Sequence, residues 1–190
     1  MTDTLAEKYT VDEYIERIIA FHGTLAPGLL IGGYMVDHAL CNRPGGEFFD
    51  ALCETSVCLP DAVQLLTPCT FGNGWLKICD VGRFALTFFE KYSGEGVRVH
   101  LDAAGLDAYP EIQNWFLRLK PKHDQDMERL IREIRTAKAG ILGMKRVRVH
   151  ERFVGKEKGG RIVLCPSCGE AYPERDGPRC RACGGTALYI

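Results

Sequence analysis

The stretch CPSCGEAYPERDGPRCRACG, residues 165–184, decides how the chain is organised. It contains two Cys-x-x-Cys pairs, Cys165 with Cys168 and Cys180 with Cys183, and a glycine follows each pair. The two-residue gap lets both sulfurs of a pair face one ion about 2.3 Å away, and the glycine permits the turn whose amides donate to the thiolates. Because a redox centre needs only one such pair, the spacing predicts one structural zinc ion held by all four cysteines.

Four thiolates complete a tetrahedron and leave no open position, so we expect this zinc to be structural and not catalytic. A segment of about thirty residues buries too little to fold alone, and zinc binding would supply on the order of 10 kcal/mol of its folding free energy. Residues 155–160 just before it are polar, charged and rich in glycine, which is typical of a linker. We therefore predict a core domain at residues 1–154 and a zinc-finger domain at residues 160–190.

Length and composition are those of a soluble globular protein. The chain has 190 residues, 46% of them hydrophobic and 26% charged, with a formal net charge of -1. This balance gives no global argument for binding nucleic acid or an acidic membrane. With no signal-peptide core and no apolar run of about twenty residues, we expect a cytoplasmic location. In that compartment the nine cysteines are thiols and metal ligands and not disulfides.

Apolar spacing predicts the secondary structure of the core. Helices are predicted at 10–21, which opens with a Thr10–Glu13 capping box, and at 27–41, 61–66 and 124–138. Strands are predicted at 75–81, 83–90 and 96–102, a helical turn at Phe48, Phe49 and Leu52, and a strand or extended connector at 145–153. Gly32 and Gly33 each cost the second helix roughly 1 kcal/mol relative to alanine, so we expect another part of the chain to pack closely there.

The core also offers three candidate ligands, His22, Cys58 and Cys69. His22 stands in a loop that leads into the second helix, where free amides and the helix dipole favour an anion or a metal-bound thiolate. One imidazole and two thiolates can bind a transition metal with an open fourth position. Each residue also has a plainer explanation, as a hydrogen-bonded structural histidine or as a cysteine that acts as a small buried hydrophobe.

The motifs around these residues resemble the FmdE family, which is named after formylmethanofuran dehydrogenase, over residues 10–105. The resemblance rests on Phe21-His22-Gly23 followed by Pro27-Gly28, on Cys58 with Asp61-Ala62-Val63-Gln64, and on Cys69-Thr70-Phe71-Gly72-Asn73-Gly74. It implies an α+β core with a cleft site built from His and Cys, a treble-clef or zinc-ribbon-like finger, and a homodimer. It also implies an accessory metal-binding protein linked to molybdenum or tungsten formylmethanofuran dehydrogenase and to one-carbon metabolism in anaerobes.

The sequence departs from the family's pattern at the candidate site. The family loop reads His-Gly-His-x-Cys-Pro-Gly, but Thr24 and Ala26 stand here in place of the second His and the Cys. Neither a hydroxyl nor a methyl group replaces such ligands well at a zinc- or iron-type centre. The cleft can hold a second metal with fewer protein ligands, bind a small ligand without metal, or have lost its chemistry. We favour a ligand-binding or vestigial cleft over an active metal centre.

Two other functions stay open. One is a thiol- or metal-dependent oxidoreductase in which Cys58 or Cys69 is the reactive thiolate, which requires a lowered thiol pKa and access for substrate. The other is a nucleic-acid-binding regulator that uses the finger and a basic strip, Lys145, Arg146, Arg148 and Arg152, although a solvated strand face explains that strip more simply. We expect a second copy of the chain or a protein partner at the finger, and we do not expect nucleic acid. The sequence identifies no reaction, so it does not decide whether the protein is an enzyme.

Overall fold

The chain separates into two units, Met1–Val154 and Gly155–Ile190, called here the core unit and the tail unit. The structure is a computed structural model that describes residues 4–46, 48–155, 160–186 and 188–189. Of the predicted linker at 155–160, residues 156–159 lie outside the described part.

Helices make up one layer of the core unit, and proline or a polar cap marks where most of them begin. Thr10 and Glu13 form the predicted capping box at the start of α1, with Glu13 Oε2 2.8 Å from the Thr10 amide. Proline stands at the first or second position of α2, α3 and α4. The helices are α1 (Val11–His22), α2 (Pro27–Asn42), α3 (Leu59–Leu66), α4 (Pro110–Phe116) and α5 (Met127–Ala137). Among the described residues, no helix is both long and apolar enough to cross a membrane.

A five-stranded mixed sheet forms the other layer. A short antiparallel pair, β1 (Thr4–Leu5) and β2 (Tyr9–Thr10), precedes α1. The sheet itself consists of β3 (Phe49–Cys53), β4 (Leu76–Ile78), β5 (Ala85–Glu90), β6 (Glu95–Leu101) and β7 (Leu142–Arg148). Its strand order is β4-β3-β5-β6-β7, in which only β3 and β4 run parallel, connected through α3.

Helix α2 is the central helix of the core unit, and its glycines explain how closely its neighbours approach. A Cβ atom on Gly33 would lie 2.3 Å from Cε1 of Tyr14, and one on Gly32 would lie 2.8 Å from the Cβ atom of Ala62. The ring of Tyr14 on α1 is fully buried, and its hydroxyl donates to the carbonyl of Leu29 at 3.0 Å. The expected close packing at both glycines is therefore confirmed.

The two faces of the sheet bury different chemistry. The face in the hydrophobic core carries Ala51, Cys53, Leu86, Phe88, Val97, Val99 and Leu101. The opposite face carries buried carboxylates: Asp50 pairs with Lys77, and Glu54 pairs with Arg98 at 2.5 Å. Burial raises the pKa of Glu54, but hydrogen bonds and charge from Arg98 outweigh that effect and leave the pKa below its usual value.

Two parts of the core differ from the sequence-based prediction. The helical turn expected at Phe48, Phe49 and Leu52 is wrong, because Phe49–Cys53 is strand β3. Its pairing with both β4 and β5 overrides the local pattern, since an interior strand is buried on both faces and shows no alternation. Helix α4, Pro110–Phe116, was not predicted at all. Of the stretch 145–153, the first four residues belong to β7 and Glu151–Phe153 form a 3-10 turn.

The tail unit is built on one small hairpin. Strands β8 (Ile162–Leu164) and β9 (Ala171–Pro173) pair antiparallel. A 3-10 turn, Glu174–Asp176, follows β9. The buried Tyr172 donates from its hydroxyl to the carbonyl of Gly177 at 2.9 Å, which ties β9 to the turn after it.

Candidate functional site

Two tight turns present the four cysteines of the tail unit. In the first, the amide of Gly169 donates to the carbonyl of Cys165 at 2.8 Å, and Gly169 takes a φ of +79° that favours glycine. In the second, the amide of Gly184 donates to the carbonyl of Cys180 at 2.8 Å, and the amide of Cys183 lies 3.4 Å from the sulfur of Cys180. The glycine after each pair is thus part of a turn that aims two sulfurs at one point.

The geometry of the four sulfurs fits zinc. The Sγ atoms of Cys165, Cys168, Cys180 and Cys183 all lie within 4.8 Å of one another, and those of Cys168 and Cys180 are 3.8 Å apart. A tetrahedral zinc ion with zinc–sulfur bonds of about 2.3 Å places its ligands about 3.8 Å apart. Across the described part of the chain, this is the one group of three or more His, Cys, Asp or Glu side chains arranged to hold a metal ion.

Ionisation of these thiols also indicates that a cation is needed. Hydrogen bonds from the backbone, chiefly from Cys180 and then from Cys168 and Ser167, lower the pKa of Cys165 to about 6. Hydrogen bonds with the neighbouring sulfurs of Cys180 and Cys168 raise the pKa of Cys183 to about 12. Crowded sulfurs therefore cannot all ionise by themselves, and a bound divalent cation is what makes four thiolates compatible.

In the core unit, His22 and Asp61 form the centre of the candidate ligand site. His22 is the last residue of α1 and Asp61 lies in the first turn of α3. Nδ1 of His22 is 2.9 Å from Oδ2 of Asp61, and each side chain is about one-third exposed, at 32% and 30%. The carboxylate fixes the orientation of the imidazole and leaves Nε2 as the nitrogen able to meet a ligand.

Cys58 lies beside the same carboxylate. It caps the N-terminal end of α3 with a φ of +60°, which is uncommon for a residue with a side chain. A Cβ atom on Gly28 would lie 2.9 Å from the Cys58 sulfur, so the start of α2 packs directly against this half-buried thiol. Burial, and then the charge of Asp61, raises the pKa of Cys58. The thiol is therefore protonated at neutral pH.

Cys69 is elsewhere. It follows the C-terminal end of α3, whereas Cys58 precedes its N-terminal end, and an eight-residue helix is about 12 Å long. The Cys69 side chain is fully buried and donates to the carbonyl of Phe49 at 3.6 Å. Burial is the main cause that raises its pKa to about 11. The structure thus places His22 and Cys58 around Asp61 and keeps Cys69 apart; cofactor binding by these three residues stays a prediction.

The family positions that this sequence lacks belong to the loop between α1 and α2. Ala26 is the N-cap of α2 and makes no side-chain hydrogen bond there. Thr24 lies two residues before it in the same loop. Sequence reasoning missed Asp61 as a site residue, although an acidic residue three positions after Cys58, in the first turn of a helix, was the signal available.

An α+β core with an appended four-cysteine finger defines the class of two-unit zinc-finger proteins. Comparison with known families makes this specific. A family model described as FmdE, Molybdenum formylmethanofuran dehydrogenase operon, matches residues 21–150, and a second, described as FmdE treble clef zinc finger, matches residues 156–190. The chain belongs to the FmdE family.

Two relatives support this assignment. A crystal structure of a tungsten formylmethanofuran dehydrogenase FmdE-like protein from Syntrophus aciditrophicus is 51% identical, with a TM-score of 0.89 over 98% of this chain and 100% of that one. A probable S-adenosyl-L-methionine-binding protein from Archaeoglobus fulgidus is 28% identical over 92% of this chain. The chain spans about half, 53%, of the length of that second relative.

Proposed function

We propose that the chain is a non-catalytic accessory protein of molybdenum- or tungsten-dependent formylmethanofuran dehydrogenase, or of related one-carbon metabolism. In this proposal the tail unit holds one structural zinc ion and the core unit binds a small ligand at His22 and Cys58. The observation that carries the binding role is the pair of His22 and Asp61 next to a protonated thiol. The family model and the Syntrophus protein, by their descriptions, support the metabolic setting.

The chemistry of the core thiols favours binding over catalysis. A cysteine that acts as a nucleophile or redox centre needs a thiolate, and so a lowered pKa and access to substrate. Cys58 and Cys69 both have a raised pKa, and Cys69 is fully buried. The thiol-dependent oxidoreductase is therefore the weaker alternative.

A small ligand with a carboxylate suits the site. His22 offers an N–H or a lone pair at Nε2, Cys58 offers an S–H donor, and the free amides at the N-terminal ends of α2 and α3 favour negative charge. His22 and Cys58 give a metal only two ligands, because Thr24 and Ala26 contribute none of the kind that a transition metal prefers.

S-adenosyl-L-methionine is a second candidate for what the core binds. The name of the Archaeoglobus relative favours it, and the molecule carries the carboxylate that the site would accept. Because that relative is about twice as long as this chain, its binding function is carried over here only as a proposal.

The test uses the full chain and two matched double variants. Cys168→Ser with Cys180→Ser removes half of the sulfur cluster, and His22→Ala with Cys58→Ser removes the core donors. Metal analysis should find one zinc per chain in the wild type and in the core variant, and none in the tail variant. Calorimetric titration with formate and with S-adenosyl-L-methionine should show binding that only the core variant loses.

Three results would contradict the proposal in different ways. A metal equivalent that disappears with His22 and Cys58 would show a core metal centre in place of a small-ligand site. Absence of binding for both probes would remove the ligand role. Failure of the purified catalytic subunits of formylmethanofuran dehydrogenase to retain the wild-type chain would remove the accessory role.

A further inference from the structure

Strand β7 is an open edge of the central sheet. It runs for seven residues, Leu142–Arg148, and pairs only with β6. The opposite edge, β4, has only three residues. Most of β7 is exposed; Met144, for example, is 41% exposed although the residue opposite it, Val99, is fully buried.

The register decides which backbone groups of β7 are free. Asp102 donates to the carbonyl of Ile141 and Val149 donates to the carbonyl of Gly94, both at 2.9 Å. In an antiparallel pair the hydrogen-bonded and non-hydrogen-bonded positions alternate between these two ends. The amides and carbonyls that face outward are therefore those of Leu142, Met144, Arg146 and Arg148. The Leu142 amide donates to the carbonyl of Ala139, and the outward groups of the other three have no backbone partner within the described ranges.

Basic side chains surround this free ladder. Lys145 and Arg146 are exposed and form no ion pair with any residue that the structure describes, while Arg148 lies 3.5 Å from Glu95. The strand thus combines unpaired backbone groups with positive charge that no neighbouring carboxylate neutralises at its centre.

We propose that β7 binds an extended acidic segment of a partner protein, which adds to the sheet as a sixth strand. Main-chain hydrogen bonds to the outward groups would supply affinity, and carboxylates opposite Lys145 and Arg146 would supply selectivity. The strand is about 24 Å long, so a peptide of similar length can lie along it.

Charge argues for such a partner over the other occupants of a sheet edge. Two copies of β7 paired with each other would bring six basic side chains, three from each strand, into one two-stranded ribbon, where like charges repel. Nucleic acid would meet the basic side chains but has no strand to match the backbone ladder. An acidic peptide satisfies the charges and the ladder together. This surface is separate from the ligand site at His22 and Cys58, and its test does not depend on that site.

The experiment uses the full chain and a blocked peptide in which glutamate alternates with valine and threonine, with a lysine version as its control. Fluorescence anisotropy measures binding, and amide hydrogen exchange maps it. We expect saturable binding of the glutamate peptide that weakens as salt rises. Exchange should slow at the outward amides of Met144, Arg146 and Arg148, and it should not change at those of Gly143 and Lys145, which already bond to β6.

Substitutions at one position separate backbone from charge. Arg146→Pro removes an outward amide without removing a bond to β6, whereas Arg146→Val removes only the charge. Arg146→Glu reverses the charge and should weaken binding about tenfold. Lys122→Glu makes the same charge change at an exposed site far along the chain from β7 and should leave affinity unchanged. The proline variant should bind more weakly than the valine variant; if it does not fold, Arg146→Glu against Lys122→Glu still decides the role of charge.

Four outcomes would overturn the proposal. Absence of saturable binding would mean that Lys145 and its neighbours only discourage edge pairing, as charged residues on edge strands often do. Equal binding of the lysine peptide would remove the charge argument. Protection of the outward amides without peptide, together with a dimeric mass in light scattering, would identify a second copy as the occupant. Tighter binding of a DNA duplex than of the glutamate peptide would identify nucleic acid.

Discussion

Replacing Gly33 with alanine tests the packing of α2 against α1. At an open helical position this change stabilises a protein by about 1 kcal/mol, because glycine is the poorer helix former. At Gly33 the added Cβ atom would lie 2.3 Å from Cε1 of Tyr14, well inside the usual carbon–carbon separation of about 3.5–4.0 Å. The Tyr14 ring is fully buried, and its hydroxyl is held by the carbonyl of Leu29, so it has little room to move.

The expected cost follows from these contacts. Overpacking a core typically costs about 1–3 kcal/mol, and a clash of this depth with a fixed ring belongs at the upper end. Displacing the ring also weakens the hydrogen bond from Tyr14 to Leu29, which is worth about 1 kcal/mol. After the gain in helix propensity is subtracted, Gly33→Ala should lower the free energy of unfolding by about 2–3 kcal/mol.

Urea denaturation followed by circular dichroism measures this change, which should appear as a lower midpoint with an unchanged slope. Gly140→Ala is the matched control, because a Cβ atom on Gly140 meets no atom within 4 Å and should leave stability equal or slightly higher. Combining Gly33→Ala with Tyr14→Leu should cost less than the sum of the two single changes, since the smaller side chain relieves the clash. A Gly33→Ala protein as stable as the wild type would refute the packing argument.

Three further predictions concern charge and sulfur. Cys168→Ser should reduce bound zinc from one equivalent to none and speed amide exchange throughout the tail unit; retained zinc would contradict the four-sulfur centre. Since Arg98 holds the pKa of Glu54 below its ordinary value of 4.5, this carboxylate stabilises the fold above that pH and the contribution is lost as pH falls through the lowered pKa. Glu54→Gln should therefore cost about 2 kcal/mol in urea unfolding at pH 7 and less in acid, and an equal cost at both pH values would refute this account. Asp61→Asn removes the negative charge beside Cys58, so the pKa of that thiol should fall and its labelling by a disulfide reagent at pH 7 should become faster; an unchanged rate would place Asp61 too far away to matter.

The parts of the fold that the sequence predicted are those encoded by residues close together in the chain. The capping box of Thr10 and Glu13, the apolar spacing of α1 and α5, and the two Cys-x-x-Cys turns each act within a few residues. The positions of the strands at 85–90 and 95–101 also followed from local pattern, because alternation on β6 matches its half-buried surface.

The parts that escaped prediction depend on partners far along the chain. Strand β3 looks helical by its aromatic residues and becomes a strand only because β4 and β5 pair on both sides of it. Its Asp50 is nearly fully buried, which sequence alone would not suggest, because Lys77 lies next to it in the fold.

The candidate site in the core was predicted in part for the same reason. Spacing along the chain placed Cys58 and Cys69 close enough for a shared site, but the intervening helix α3 carries them to opposite ends. The partner of His22 is Asp61, thirty-nine residues away, which only the packing of α1 against α3 reveals. The tail centre needed no such packing information, since all four of its sulfurs come from two short turns.

The sulfur cage has a consequence for how the protein persists in a cell. A segment whose fold depends on one captured ion exists in folded form only while free zinc is available and while its thiols stay reduced. Starvation for the metal, or a burst of oxidant, would leave residues 160–190 as a protease-sensitive extension of a core that has its own hydrophobic cluster. Whatever the tail contributes would then be withdrawn first, and the amount of full-length protein would follow the metal and redox supply of the cell.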